Sequence, residues 1–177
     1  MNAKHQIFAS VGIAMFFAAA SSGQQVKTDY DRNANFSQYK TYSWEKLHTQ
    51  DPLWIDRIKE AVNAALTAKG LTPVESGGDL AIIAMETTQN QPTLNTFYEA
   101  FGGGWRWREG VFRTATTTLD NYKVGTLVVD LFAAHTKTLI WRGSSSDTLS
   151  DKSDKNIKNL DKGVRKMFDH FPPDVKK

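Results

Sequence analysis

One short run of apolar residues constrains the fold of this chain more than any other sequence feature. The segment Asp79–Gln89 is typical of a strand, and every residue from Leu80 to Met85 is apolar, so both faces of that strand are hydrophobic. A strand of this kind needs cover on both sides, which indicates a central place in a sheet or a strongly curled sheet. Gly77 and Gly78 break the chain just before it. The sequence therefore predicts a domain built around a shielded β-sheet.

Further strand signals lie on both sides of this segment. Alternating or β-branched residues predict strands at Val26–Tyr30, Thr41–Trp44, Gly125–Ala133 and Thr138–Ser144. The link 134–137 is short, which favours an antiparallel hairpin between the last two of these strands. The segment Asn90–Asn121 is polar, aromatic and rich in glycine, and it has room for two irregular strands around a turn.

Two stretches have the apolar spacing of amphipathic helices. The first follows Asp51-Pro52, where the aspartate accepts hydrogen bonds from free backbone amides, and it ends at Gly70. Asn63 is expected on its solvent side. The second helix keeps one apolar stripe from Ile157 to Phe171. Its expected caps and stop are Ser150, Asp151 or Ser153 and the pair Pro172-Pro173.

The order of these elements is strand, strand, helix, several strands and helix. It indicates an α+β fold, a largely antiparallel β-sheet with two amphipathic helices packed on it. No internal repeat or long linker divides residues 24–177, which we expect to form a single globular domain.

The beginning of the chain has the features of a secretory signal peptide. Lys4 precedes the uncharged stretch Ile7–Ala20, and small residues follow at once. About 14 apolar residues are fewer than the roughly 20 that a membrane-spanning helix needs. We therefore expect residues 1–23 to be a signal peptide and the mature chain to begin at Ser21 or Gln24. The expected location is the periplasm or the exterior, with no transmembrane segment in the mature chain.

Charge and cysteine content exclude several classes of partner. The formal net charge is +3, and loss of Lys4 with the signal peptide leaves 21 basic against 19 acidic residues. These charges are interleaved along the chain, so we expect no nucleic-acid partner. The chain has no cysteine, which excludes disulfides and lipid attachment at the cleavage site. We therefore expect no lipid anchor.

Several blocks together resemble a known family. They are Phe36–Trp44 (FSQYKTYSW), Gly125–Leu131 (GTLVVDL), Leu139–Gly143 (LIWRG) and the closing Phe171-Pro172-Pro173. This combination is similar to the domain of unknown function 4136 family. The resemblance implies a bacterial cell-envelope domain, often carried as a lipoprotein, with no assigned activity and no catalytic residues. Many relatives carry a lipidated cysteine after the signal, where this chain has serines, glycine and glutamines.

The sequence gives no complete catalytic, metal or cofactor motif. His48, His135 and His170 each lack a second metal ligand at helical or strand spacing. No serine lies in a glycine-flanked nucleophile elbow. The acids that a glycosidase would need cannot be paired from sequence; they are Glu86, Glu99, Glu109 and Asp130. We expect no catalytic residues, no metal site and no cofactor.

Asp130 interrupts an apolar strand, and a buried charge is costly unless it is matched. Arg142 is the candidate partner for a structural ion pair. A three-residue turn between the two strands would set the two side chains side by side, whereas a two- or four-residue turn would offset them by one position. A catalytic role for Asp130 is the alternative.

The candidate binding residues are Trp105, Arg106, Trp107 and Arg108, which follow three glycines. In a strand the tryptophans face one side and the arginines the other. Flat rings stack on sugars, and arginines bind carboxylates or phosphates. The alternative is that the tryptophans cover the sheet and the arginines are solvated.

These observations predict an exported, non-catalytic cell-envelope protein that binds an unknown envelope protein or polymer. The alternative is a small hydrolase acting on an envelope component. Exposure of Asp130 or Glu109 in a groove would favour the hydrolase.

Overall fold

The computed structural model describes residues 24–87 and 124–173. The predicted signal peptide and the irregular strands expected within 90–121 lie outside the described residues.

The described residues form a six-stranded sheet and two helices. The strands are β1 (Gln25–Tyr30), β2 (Thr41–His48), β3 (Thr72–Pro73), β4 (Leu80–Thr87), β5 (Val124–Ala133) and β6 (Thr138–Thr148). The helices are α1 (Trp54–Ala68) and α2 (Ser153–Phe168). The strand order is β1-β6-β5-β4-β2-β3, and β2 runs parallel to its neighbours β3 and β4 while the other pairs are antiparallel. The predicted α+β class is confirmed.

Both helices pack on one face of the sheet. Trp141 in β6 stacks on Phe168 of α2, with ring centroids 4.7 Å apart, and Phe171 meets the same indole edge-on at 5.5 Å. From α1, Ile58 and Val62 are fully buried in the same hydrophobic cluster. Burial of these large side chains is the main source of stability for a domain that has no disulfide.

β4 is buried on both of its faces, as its sequence predicts. Ile82 points toward the helices, whereas Ile83 points to the opposite face, and each is at most 1% exposed. The opposite face also buries Asp130 and Phe132 from β5. β4 lies between β5 and β2, which is the central position expected for it.

Two local predictions about the helices are wrong in an informative way. Asn63 does not face solvent, because its Oδ1 accepts hydrogen bonds from the Tyr42 hydroxyl and from Trp44 Nε1 at 3.1 and 2.9 Å. This amide satisfies two polar groups of large aromatic side chains, so it lies at the sheet–helix boundary. Charged neighbours in the sequence gave no sign of this role.

The second discrepancy is the N-terminus of α2. Lys152 holds the cap position, without a side-chain capping bond, and Asp151 and Ser153 do not cap the helix. Ser150 Oγ accepts a hydrogen bond from the Lys152 amide. The Asn156 side chain accepts from the Ser150 amide and donates to the Ser150 carbonyl. A side chain within the helix therefore stabilises the turn that precedes it.

A β-bulge in the β5–β6 hairpin sets the register of Asp130 against Arg142. Phe132 pairs with Leu139, yet Leu131 pairs with Trp141, so Ile140 is an extra residue in β6. The four-residue turn alone would offset Asp130 from Arg142 by one position, and the bulge removes this offset. The two residues consequently lie directly opposite each other.

Candidate functional site

A cavity of about 380 Å³ opens at one end of the sheet, between the N-terminal ends of α1 and α2. The end of β4, the start of β5 and the end of β6 form its floor. It collects side chains that are far apart in the sequence, from Gln24 to Leu160. Its size falls within the range of small-molecule binding sites.

One wall of the cavity is apolar. Trp54, the first residue of α1, lies there with Leu127, Leu149 and Leu160. The guanidinium of Arg57 lies 5.5 Å from the centre of the Trp54 ring. This cation–π contact helps to hold the half-buried indole in place.

The remaining lining is rich in hydrogen-bond acceptors. Asp51, Glu86 and Asp147 contribute carboxylates. Each of the three has one oxygen engaged: Asp51 accepts from the Leu53 amide, Glu86 from the Thr49 hydroxyl and Asp147 from the Thr148 amide. Each carboxylate keeps a second oxygen for which no hydrogen bond is seen among the described residues.

Gln24 supplies a further acceptor at the cavity. Its Nε2 donates to the Asn159 carbonyl at 2.6 Å, which anchors the side chain against α2. Its Oε1 is buried and accepts no hydrogen bond from any described residue. A buried polar atom without a partner is costly, and a bound donor would satisfy it.

This arrangement suits a ligand that carries hydrogen-bond donors. In the described part of the chain, three carboxylates and no lysine or arginine side chain line the cavity, so an anionic ligand would meet like charge without a cation to offset it. No histidine lies beside the hydroxyls of Thr126 and Ser145 there, so neither hydroxyl is activated as a nucleophile by a described imidazole. Within 24–87 and 124–173, no group of three or more His, Cys, Asp or Glu side chains could hold a metal ion.

The structure brings Asp130 and Arg142 together, away from this cavity. Arg142 Nε and a terminal nitrogen donate to the two Asp130 oxygens at 2.6 Å each, a bidentate pair on the sheet face opposite the helices. Asp130 is completely buried. Burial raises the pKa of its carboxyl, and the charge and hydrogen bonds of Arg142 oppose that rise. Asp130 is therefore not an exposed acid of the kind a hydrolase would use.

The other predicted binding residues cannot be compared with this site. Trp105, Arg106, Trp107 and Arg108 lie outside the described residues, as does Glu109. The cavity residues were missed because they come from five separate elements and the segments beside them, and Gln24 and Asn159 are 135 positions apart. The one local signal was Trp54, an aromatic residue just after the predicted helix start at Asp51-Pro52; the helix itself begins at Trp54.

The fold is an α+β domain with a helical layer on one face of a mixed sheet and an acceptor-lined cavity at its end. The chain belongs to the family described as domain of unknown function (DUF4136), whose model matches residues 26–173. This confirms the resemblance found in the sequence blocks. A search of curated proteins finds no significant match.

Three solved structures are similar to this chain at low identity, and the first, with a TM-score above 0.5, shows the fold. A PDZ domain protein from Parabacteroides distasonis is 17% identical with a TM-score of 0.53 over 85% of this chain, and the chain spans only 36% of that structure. A PelC dodecamer from Paraburkholderia phytofirmans is 11% identical with a TM-score of 0.49, covering 82% of this chain and 95% of that one. A minor lipoprotein from Acinetobacter baumannii is 12% identical with a TM-score of 0.37, covering 75% and 92%. These likenesses describe architecture and carry no functional assignment.

Neither α1 nor α2 is long and apolar enough to cross a membrane.

Proposed function

We propose that this protein is an exported, non-catalytic binding domain of the bacterial cell envelope, and that its ligand enters the cavity beside Trp54. The ligand is a donor-rich group, such as a neutral or amine-bearing saccharide unit of an envelope polymer. The acceptor-lined cavity carries this proposal.

The lining supports binding to a flat polar ligand. Trp54 offers an aromatic face, and sugar rings present C–H groups to such faces while their hydroxyls point outward. Glu86, Asp147 and the buried Oε1 of Gln24 lie in the same cavity and accept from hydroxyl or ammonium groups. An ammonium group gains further from the carboxylates, because the cavity is partly shielded from water.

The described residues favour binding over hydrolysis. Asp130, one of the two acids named for the hydrolase alternative, is buried in its pair with Arg142, and the other, Glu109, lies outside the described residues. The acids that do line the cavity stand beside no hydroxyl activated by a described histidine. Several carboxylates in one cavity are also what glycoside hydrolysis needs, so hydrolysis remains the alternative function.

Export rests on the N-terminal sequence. Lys4, the apolar stretch Ile7–Ala20 and the small residues after it support a cleaved signal peptide. Expression of the full chain in a Gram-negative host, followed by N-terminal sequencing, tests this. We expect a periplasmic protein that begins at Ser21 or Gln24. A cytoplasmic protein that retains residues 1–23 would contradict export and leave the cavity proposal to its own test.

Ligand class is tested by NMR titration of the ¹⁵N-labelled purified protein with three trisaccharides. The probes are glucosamine, N-acetylglucosamine and galacturonate oligomers, which are cationic, neutral and anionic. We expect amide shifts at Trp54, Glu86 and Asn159 with the first two, strongest for glucosamine, and none with galacturonate. Equal shifts with galacturonate, or no shift at these amides with any probe, would overturn the proposed ligand class.

A further inference from the structure

The outer face of α2 carries a continuous row of positive charge. Its five cations are all exposed: Lys155, Lys158, Lys162, Arg165 and Lys166. The opposite face of the helix packs on the sheet through Gly163, Val164, Met167 and Phe168, which are all buried. At about 100° per residue the five cations fall within an arc of roughly 100°, directly away from the core. We call this surface the basic face of α2.

Cations outnumber acids on and beside this face within the described structure. None of the five side chains forms an ion pair with a described residue. Asp154 and Asp161 lie beside the arc, and Asp169, just after the helix, falls within it. Five cations against three acids leave the basic face with a net positive charge.

The like-charged neighbours in this row are unfavourable to the helix, whereas Asp154 with Lys158 and Asp161 with Arg165 are favourable pairs four residues apart. Lys158 and Lys162 are four residues apart, and Lys155 with Lys158 and Lys162 with Lys166 are further like-charged neighbours, which repel on a helix surface. The helix dipole favours Arg165 and Lys166 in the last turn but disfavours Lys155 in the first. An external anionic surface would offset this repulsion.

We propose that the basic face of α2 adsorbs onto anionic phospholipid membranes. From Lys155 to Lys166 the row is about 17 Å long, because a helix rises about 1.5 Å per residue. The row lies on a convex helix surface whose shallow depression, lined by Lys152, Ser153, Asp154, Lys155 and Lys158, reaches only its first part, whereas a planar array of headgroups contacts all five cations at once. No large apolar side chain lies on this face, so the protein rests on headgroups without insertion. This inference does not depend on the ligand proposed for the cavity.

The test is co-sedimentation of the purified protein with vesicles of phosphatidylcholine, with and without phosphatidylglycerol. We expect binding only to vesicles with the anionic lipid. It should disappear at about 1 M salt, where the Debye length falls to about 3 Å. Binding to phosphatidylcholine alone, or binding that survives this salt, would overturn the proposal.

Charge variants separate the basic face from net charge. Each cation near an anionic surface contributes roughly fivefold in affinity, so Lys158→Gln with Lys162→Gln should lower the partition coefficient about 25-fold. The control is Lys27→Gln with Lys40→Gln, which removes the same charge from exposed positions outside the helices. An equal loss in the control would show a net-charge effect only and defeat the proposal. Retention of the protein by a soluble polyanion such as heparin, without vesicle binding, would also contradict it.

Discussion

Asp130 and Arg142 show what a single buried charge demands of its surroundings. The carboxylate has no exposure, and both of its oxygens accept from one guanidinium. Loss of water around two charges is costly, so the pair is stable only while both partners and their hydrogen bonds remain.

We predict that Asp130→Asn lowers the free energy of unfolding by about 3–5 kcal/mol, because the arginine charge is left buried without its partner. Arg142→Met should cost a similar amount, and the double variant should lose less than the two single losses added together. Urea denaturation of the four proteins measures this coupling. Wild-type stability in Asp130→Asn would contradict the structural role.

Asp79 is a second residue whose charge acts on the backbone. Its Oδ2 accepts from the amides of Lys40 and Thr41 at 2.8 and 2.9 Å, and its own amide donates to the Thr41 hydroxyl at 3.0 Å. These bonds tie the start of β4 to the start of β2. They favour the charged form, so the pKa of Asp79 lies below its ordinary value of 3.8.

The sign of the resulting pH dependence follows from linkage. A carboxyl whose pKa is lower in the folded state stabilises the protein above 3.8, and that contribution is lost as pH falls through the folded-state pKa. Asp79→Asn should therefore lose about 1 kcal/mol at pH 7, a modest value because solvent screens this exposed group. The difference from wild type should shrink as pH falls below 3.8. Urea denaturation against pH measures it, with the exposed Glu75→Gln as control; a constant difference would exclude the charge effect.

At the scale of elements, the contact between α2 and β6 depends on Gly163. A Cβ at this position would collide with Ser145 Oγ and lie 2.6 Å from Gln24 Nε2. The helix therefore approaches the sheet closely, and the same approach positions Gln24 at the cavity.

Gly163→Ala tests this close approach because helix propensity and overpacking change the free energy of unfolding in opposite directions. Helix propensity alone predicts a gain of about 1 kcal/mol, whereas overpacking predicts a loss of about 1–3 kcal/mol. We expect the loss, measured by thermal unfolding, with Lys162→Ala on the exposed side near neutral. A stabilised Gly163→Ala protein would show that α2 is free to move away from β6.

Elements were also the level at which sequence patterns were most informative. The apolar run in β4 correctly predicted that this strand is central in the sheet. The valine-rich strands and the short link between them correctly predicted the β5–β6 hairpin. Patterns failed where a single residue served a distant partner. The bulge at Ile140 sets the register that pairs Asp130 with Arg142. The Asn63 side chain accepts hydrogen bonds from the Tyr42 hydroxyl and the Trp44 indole N–H. Such effects depend on tertiary contacts, which periodicity does not encode.

At the scale of the whole molecule, the fold was predictable and the cavity was not. Fold class follows from the order of locally encoded elements, and four sequence blocks were enough to indicate the family. The cavity forms only when the ends of both helices meet the end of the sheet, so no segment alone contains it. We therefore propose two separate functional surfaces, the cavity at the end of the sheet and the basic face on the outer side of α2.

Calorimetric titration of cavity variants with the glucosamine trisaccharide tests the central claim, ligand binding in the cavity beside Trp54, most directly. We predict that Trp54→Leu and Glu86→Gln each weaken binding about tenfold, which is about 1.4 kcal/mol, by removing the aromatic face or one negative charge. Glu75→Gln, the same change at an exposed position away from the cavity, should bind as the wild type does. Binding that is unchanged in both cavity variants, while their folding is intact, would contradict the account.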